Sequence, residues 1–190
     1  MDKSEKITLG ISIGDYNGVG IEIILKTFLD KRMFDFCTPV LFGSAKLITA
    51  YKKNMDINLL FNGIRQVDAA IQGKFNVLNL WKEEFEVNLG TPTAESGKFA
   101  FLSLEAATEA LAKGEIDLLV TAPINKENIQ SEEFHFPGHT EYLESKLKGK
   151  SLMILMADTL RIGLITGHIP VSKVSASITP DLIKEKVAIL

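Results

Sequence analysis

The chain has 190 residues, with 21 Lys and Arg against 24 Asp and Glu, a formal net charge of −3, and 46% of its residues are apolar. That is enough for a packed core and excludes a disordered or collagen-like chain, while the slightly acidic balance, without a basic run, excludes a nucleic-acid scaffold or a membrane-surface helix as the main role. The single cysteine, Cys37, excludes an intrachain disulfide and a thiolate zinc cage.

The first six residues run into an apolar stretch without a small-residue cleavage pattern, so no secretory signal is expected. No stretch reaches the roughly 18–20 uninterrupted apolar residues of a membrane span. The expectation is a cytoplasmic protein with neither membrane nor nucleic acid as partner.

Ile7 to Ile13 reads as a strand, closed by Gly14-Asp15-Tyr16-Asn17-Gly18. Ile21, Ile24, Leu25 and Phe28 then recur at the spacing that gathers apolar groups on one helical face. Thr38 to Phe42 predicts a second strand, and Ala45 to about Lys53 a second helix. Between Asn54 and Gly90 the periodicity weakens; Phe75 to Leu80 predicts a strand and Lys82 to Val87 a more polar one, together a small sheet extension. Trp81 has no identifiable partner.

Ala94 to Lys113 carries Ala100, Leu104, Ala107 and Leu111 on one face and meets Gly114, which suits the residue just past a helix end. Ile116 to Thr121 then reads as a buried strand, terminated by Ala122-Pro123. Leu152 to Met156 and Arg161 to Thr166 follow, separated by the turn residues Ala157-Asp158-Thr159, with Met153 and Met156 expected to fill core volume. Alternating strands and helices predict an α/β fold with a mixed, largely parallel sheet covered on both faces. In the last segment Thr179 can cap, Pro180 suits the first helical position and Asp181 complements the positive helix end. Ile183, Val187 and Leu190 form an apolar stripe. The pattern breaks off without a stop signal, so residues 1–190 are expected to be the N-terminal portion of a longer protein, with no internal boundary legible.

Four stretches can carry chemistry. Gly14, Gly18 and Gly20 lie between a strand and a helix, where backbone amides can approach an anion, although the spacing is neither the dinucleotide fingerprint nor a P-loop. A tight connection explains them as well. Thr121-Ala122-Pro123-Ile124-Asn125-Lys126 follows a strand end, where α/β ligands gather, and Lys126 can pair with phosphate or carboxylate or simply be solvated. Gly138-His139-Thr140-Glu141 opens a predicted helix, offering an imidazole and a hydroxyl to an anion. Thr166-Gly167-His168-Ile169-Pro170 follows a strand, and imidazole is a common ligand of divalent metals. His135 reads as structural, and Glu141 with Glu144 as a solvated helical face.

In this order the four motifs resemble the 4-hydroxythreonine-4-phosphate dehydrogenase family, over essentially the whole chain. The resemblance implies a two-domain fold like that of isocitrate and isopropylmalate dehydrogenases, a homodimer, and a role in pyridoxine and pyridoxal phosphate biosynthesis. It also implies oxidation of a phosphorylated hydroxythreonine by NAD or NADP, followed by decarboxylation of the β-keto acid. His139 and Thr140 would bind substrate. His168 would be one of three histidine ligands to a divalent metal such as zinc, magnesium or cobalt, so this chain alone is expected to be inactive. A dehydrogenase of four-carbon sugar-acid phosphates, erythronate or threonate 4-phosphate, is the close alternative, and a non-catalytic anion-binding α/β module is the alternative of another class. The family's first loop commonly reads Gly-Asp-Pro-Ala-Gly-Ile-Gly-Pro-Glu; here Tyr16 and Asn17 stand for Pro-Ala, and Ile21 for the second Pro.

Overall fold

In the computed structural model, which describes residues 6–189, the alternating signals become one parallel sheet followed by a hairpin and two short helices. The elements are β1 (Ile7–Ser12), α1 (Gly20–Leu29), α2 (Met33–Phe36), β2 (Cys37–Gly43), α3 (Ala45–Asn54), β3 (Phe61–Ile64), β4 (Phe75–Asn79), α4 (Ala94–Lys113) and β5 (Leu118–Thr121). They continue with α5 (His139–Lys146), β6 (Ile154–Ala157), β7 (Leu160–Gly163), α6 (Val171–Ser177) and α7 (Pro180–Ile189). The chain divides after Tyr142 into two compact units.

The first unit holds the five-stranded sheet in the order β3-β4-β2-β1-β5, every neighbouring pair parallel. Strand β2 is buried along its whole length, which is why Thr38 to Phe42 has no polar alternation. The apolar stripe of α1 (Ile21, Ile24, Leu25, Phe28) and that of α3 (Leu47, Ile48, Tyr51) share one cluster with Ile11, Ile13, Leu41, Phe75 and Val77. Each such side chain, fully buried, contributes about 1.5–3 kcal/mol. Ala107 and Ala110 of α4 pack with Val40, Phe42, Ile64 and Leu78 in a second cluster. Helices therefore cover both faces of the sheet.

The long helix is framed as its sequence predicts and more firmly. Thr93 and Ser96 form a reciprocal capping box, and Gly114 takes the left-handed conformation at φ 74°. Ser103 of α4 reaches into the sheet: the Ile13 amide donates to its Oγ at 3.0 Å, and its hydroxyl donates to the Phe42 carbonyl at 2.5 Å. One buried hydroxyl thus satisfies backbone groups of both β1 and β2 ends.

Several expectations are corrected. Lys82 to Val87 is not a strand; the pairing with β2 ends where the Leu80 amide donates to the Gly43 carbonyl at 2.9 Å, and residues 81–93 run irregularly with Phe85 and Val87 tucked against the core. Trp81 does have a partner, stacking on Phe99 with ring centroids 4.5 Å apart. The strand expected over Ile116 to Thr121 begins only at Leu118; just before it the Asp117 amide donates to the Thr8 carbonyl at 2.9 Å and the Asp117 carboxylate accepts from the Thr8 amide. It is an edge strand rather than a buried one, with Leu118 53% and Val120 50% exposed.

In the second unit β6 and β7 are antiparallel, the only pairing a tight Asp158-Thr159 turn permits, and not members of a covered parallel sheet. Met153 and Met156 are exposed rather than core. Among the described residues after Tyr142 none is fully buried. Helix α7 starts as expected, the Leu182 amide donating to Thr179 Oγ1 at 3.2 Å, but Ile183 and Val187 of its apolar stripe are exposed and Leu190 lies outside the described residues. The N-terminal segment read for a signal, residues 1–5, lies outside them too. Among the described residues no helix is long and apolar enough to cross a membrane.

Candidate functional site

From β1 the chain moves to β2 on one side, whereas β5 joins β1 on the other, so the strand order reverses between β1 and β5. In open α/β sheets the crevice outside the carboxyl ends at such a point is where ligands bind. The segments that follow these two strands are the glycine loop 14–20 and the Ala122–Asn128 stretch.

They are tied together at the backbone. Gly14 has φ 65°, which turns the chain so that the Asp15 amide donates to the Pro123 carbonyl at 2.9 Å. A Cβ on Gly14 would lie 2.2 Å from that same carbonyl oxygen. Of the three glycines only Gly14 meets a positive-φ requirement.

The Asp15 side chain, 6% exposed, accepts from the Asn17 amide at 2.9 Å and from Asn128 Nδ2 at 3.0 Å. Asn128 Nδ2 also lies 3.0 Å from the Thr93 carbonyl and 3.0 Å from Ser96 Oγ, joining the start of α4 to the same knot. Tyr16 and Asn17, two of the residues that depart from the loop of the family the motifs resemble, hold the irregular 81–93 segment. Asn17 Oδ1 accepts from the Asn88 amide at 2.8 Å, its Nδ2 donates to the Thr91 carbonyl at 3.0 Å, and its carbonyl accepts from the Gly90 amide at 2.8 Å. Tyr16 is sealed between Phe85 and Phe99 and donates to Glu95 Oε2 at 2.9 Å; burial and that carboxylate push its phenol up. Tyr51 donates to the Tyr16 carbonyl.

After β5, Asn125 does not start a helix; its Oδ1 accepts from the Glu127 and Asn128 amides at 2.9 and 3.1 Å and caps a turn. Gln130 closes that turn, its Nε2 lying 3.1 Å from the Lys126 carbonyl and 3.0 Å from the Phe136 carbonyl. Two predicted motifs, Asn125-Lys126 and Gly138-His139, are brought together by this glutamine.

Behind them lies an aromatic cluster. Phe134, fully buried, has Phe101 of α4, Phe136 and Tyr142 of α5 within 5.4–5.8 Å between ring centroids. It seats the first turn of α5. There His139 is half-buried, with Nε2 buried and without a hydrogen-bond partner, while Thr140 is exposed. Burial, followed by the positive charge of Lys126, holds the His139 imidazole below its usual 6.5. A neutral imidazole with an orphan nitrogen, a hydroxyl and a nearby ammonium can recognise an anion by hydrogen bonds and charge together.

The folded protein binds the His139 proton more weakly than the unfolded chain, so folding is favoured above pH 6.5 and loses stability as pH falls through 6.5 towards the folded midpoint. An NMR titration is expected to place the His139 midpoint below 6.5, and His139→Gln is expected to lose less stability between pH 7 and 5 than the parent. A midpoint at or above 6.5 contradicts this.

His168 is exposed, three residues before α6 in the second unit. Glu144 is exposed as expected and accepts from Ser151, with Oε2 2.9 Å from its hydroxyl oxygen. Among the described residues no three His, Cys, Asp or Glu side chains are grouped as a metal would require. Asn128 and Phe134 belong to no motif recognisable in the sequence. The legible signal for the first was Gly97, a glycine inside a helix: a Cβ there would lie 1.9 Å from the Asn128 carbonyl oxygen.

Comparison with known proteins agrees with the fold. The family model for the pyridoxal phosphate biosynthetic protein PdxA matches residues 35–190. A 4-hydroxythreonine-4-phosphate dehydrogenase of Bacteroides thetaiotaomicron is 46% identical over 189 residues, covering 98% of this chain and 52% of that protein. A Clostridium botulinum relative with the provisional name D-threonate 4-phosphate dehydrogenase is 30% identical over 185 residues, covering 94% of this chain and 54% of its own. The crystal structure of a 4-hydroxythreonine-4-phosphate dehydrogenase from Burkholderia phymatum superposes with a TM-score of 0.86 at 28% identity, covering 97% of this chain and 57% of that one. The chain spans about half the length of the curated relatives it matches.

Proposed function

Since the chain belongs to the pyridoxal phosphate biosynthetic protein PdxA family, we propose that it serves an NAD(P)-dependent dehydrogenase acting on 4-phosphohydroxy-L-threonine, with loss of carbon dioxide from the β-keto acid. The observation that carries this is the half-buried His139, its Nε2 unpartnered, beside Thr140 at the start of α5. His139 and Thr140 bind the substrate. His139, kept neutral, offers hydrogen bonding to an oxyanion without competing for its proton.

His168 contributes one imidazole to a divalent metal site, for zinc, magnesium or cobalt. Within this chain the donor set stops there: His135 is an exposed loop residue and His139 belongs to the substrate site, so the residues present do not hold the ion unaided. With the cofactors bound, the nicotinamide would supply hydride acceptance and a metal held in part by His168 would supply charge stabilisation at the substrate oxygen. The enzyme works in the cytoplasm as a homodimer, the 190 residues alone being inactive.

The Clostridium relative's name supports a second reading in which the substrate is threonate 4-phosphate or its erythronate isomer. The substrates differ at the carbon next to the carboxylate, amino in one and hydroxyl in the other. The test joins this chain to the remainder of the Bacteroides relative and checks the fold by circular dichroism. Metal-dependent reduction of NAD(P) with the phosphohydroxythreonine is expected from the chimera and none from the 190 residues. Preference for the hydroxy acids would select the second reading. A folded chimera inactive on both, or turnover by the short chain, would overturn the proposal.

A further inference from the structure

We propose that Lys126 is an additional anion-binding group of the His139 site, supplying the positive charge for a phosphate dianion that His139 and Thr140 contact by hydrogen bonding. The inference rests on the reading that this site takes a phosphorylated substrate, and it assigns the charge recognition to a residue outside the motif that suggested that reading.

Lys126 is held in place by its backbone while its side chain stays available. On one side Asn125 Oδ1 caps the turn through the Glu127 and Asn128 amides; on the other Gln130 Nε2 lies 3.1 Å from the Lys126 carbonyl and 3.0 Å from the Phe136 carbonyl, two residues before Gly138. The turn is anchored further by Asn128, whose Nδ2 donates to the buried Asp15 carboxylate. The Lys126 side chain itself is exposed and takes part in no ion pair among the described residues, unlike Lys26, Lys113, Lys150 and Lys184.

Its charge reaches the imidazole. After burial, the positive charge of Lys126 is what disfavours protonation of the His139 imidazole. An ammonium whose charge reaches a half-buried, neutral imidazole with an unpartnered nitrogen is unfavourable for a cationic ligand and favourable for an anionic one. Glu141, in the first turn of α5, keeps a carboxylate oxygen 3.6 Å from where a Cβ on Gly138 would stand. With that acid at the entrance, His139 and Thr140 alone would leave the site no net positive charge, so a dianion needs the lysine.

The experiment follows the His139 ring resonances of the 190-residue chain by NMR while inorganic phosphate is added. The parent is expected to show a saturable shift; Lys126→Met is expected to need about tenfold more phosphate, and Lys126→Arg to stay within about threefold of the parent. Lys126→Met should also raise the His139 midpoint in the absence of phosphate, a change that loss of a merely structural lysine would not cause. Equal phosphate affinity in parent and Lys126→Met, with His139 shifting in both, would overturn the role of Lys126 and leave the substrate reading standing. No saturable shift of His139 in the parent would overturn both. Equal weakening in Lys126→Met and Lys126→Arg would also overturn it, since charge would then not be what the position supplies.

Discussion

Gly14→Ala is expected to destabilise the first unit by about 2–5 kcal/mol, combining about 1–2 kcal/mol for a side chain in the left-handed region with about 1–3 kcal/mol for overpacking. The two terms arise independently. At φ 65° any Cβ is strained, and this one would stand 2.2 Å from the Pro123 carbonyl oxygen and 2.8 Å from that of Ala122, both backbone atoms that cannot rotate aside. Relief would require parting the ends of β1 and β5, breaking the bond from the Asp15 amide to Pro123 and moving Asp15 away from Asn128. Urea denaturation followed by circular dichroism measures the loss. Gly18→Ala is the control: Gly18 is exposed, has no positive φ, and its added Cβ would meet only the Asp15 carbonyl oxygen at 3.3 Å. It should cost under about 1 kcal/mol. Equal effects at the two positions would show that the loop is not pinned where the strands end.

How much of this was legible depends on whether a signal was local. Helix α4 was readable at both ends because its apolar period, Gly114 and its length all agree. Strand β2 was readable because burial on both faces removes polar residues. The same rule misled at Leu118 to Thr121 and at Leu152 to Met156, where apolar runs stand half-exposed: composition reports that a face suits burial, not which neighbour covers it. Strand β3, four residues with Asn62 and Gly63 at its centre, carries too short a pattern to register, and residues 81–93 hold their place through Asn17, seventy residues away, rather than through any period of their own. The site divided likewise. His139, Thr140 and Lys126 stood in recognisable stretches, and Gln130 closes their turn locally, whereas Asn128 and Phe134 act across the fold and left no local mark apart from the glycine at position 97.

Phe134→Ala tests that supporting layer, with an expected cost of about 3–5 kcal/mol, the range for truncating a fully buried aromatic ring. The ring is fully buried, and Phe101, Phe136 and Tyr142 surround it at 5.8, 5.5 and 5.4 Å between centroids. Removing it leaves a void among three other rings, of which Phe101 belongs to α4 and Tyr142 to the first turn of α5. Aromatic pairs add about 0.5–1.5 kcal/mol beyond area burial, so the cluster is stiffer than its size alone implies. The functional consequence follows from sequence distance: Tyr142 is three residues from His139, and its amide donates to the Gly138 carbonyl at 3.3 Å. A loosened Tyr142 frees the turn that holds the imidazole, so the variant should lose His139's response to phosphate as well as stability. Phe134→Leu, keeping most of the volume, should recover most of both. Denaturation midpoints together with the His139 resonances decide it. A folded Phe134→Ala protein whose His139 still responds to phosphate as in the parent would mean that α5 is seated by its own turn and not by the rings beneath it.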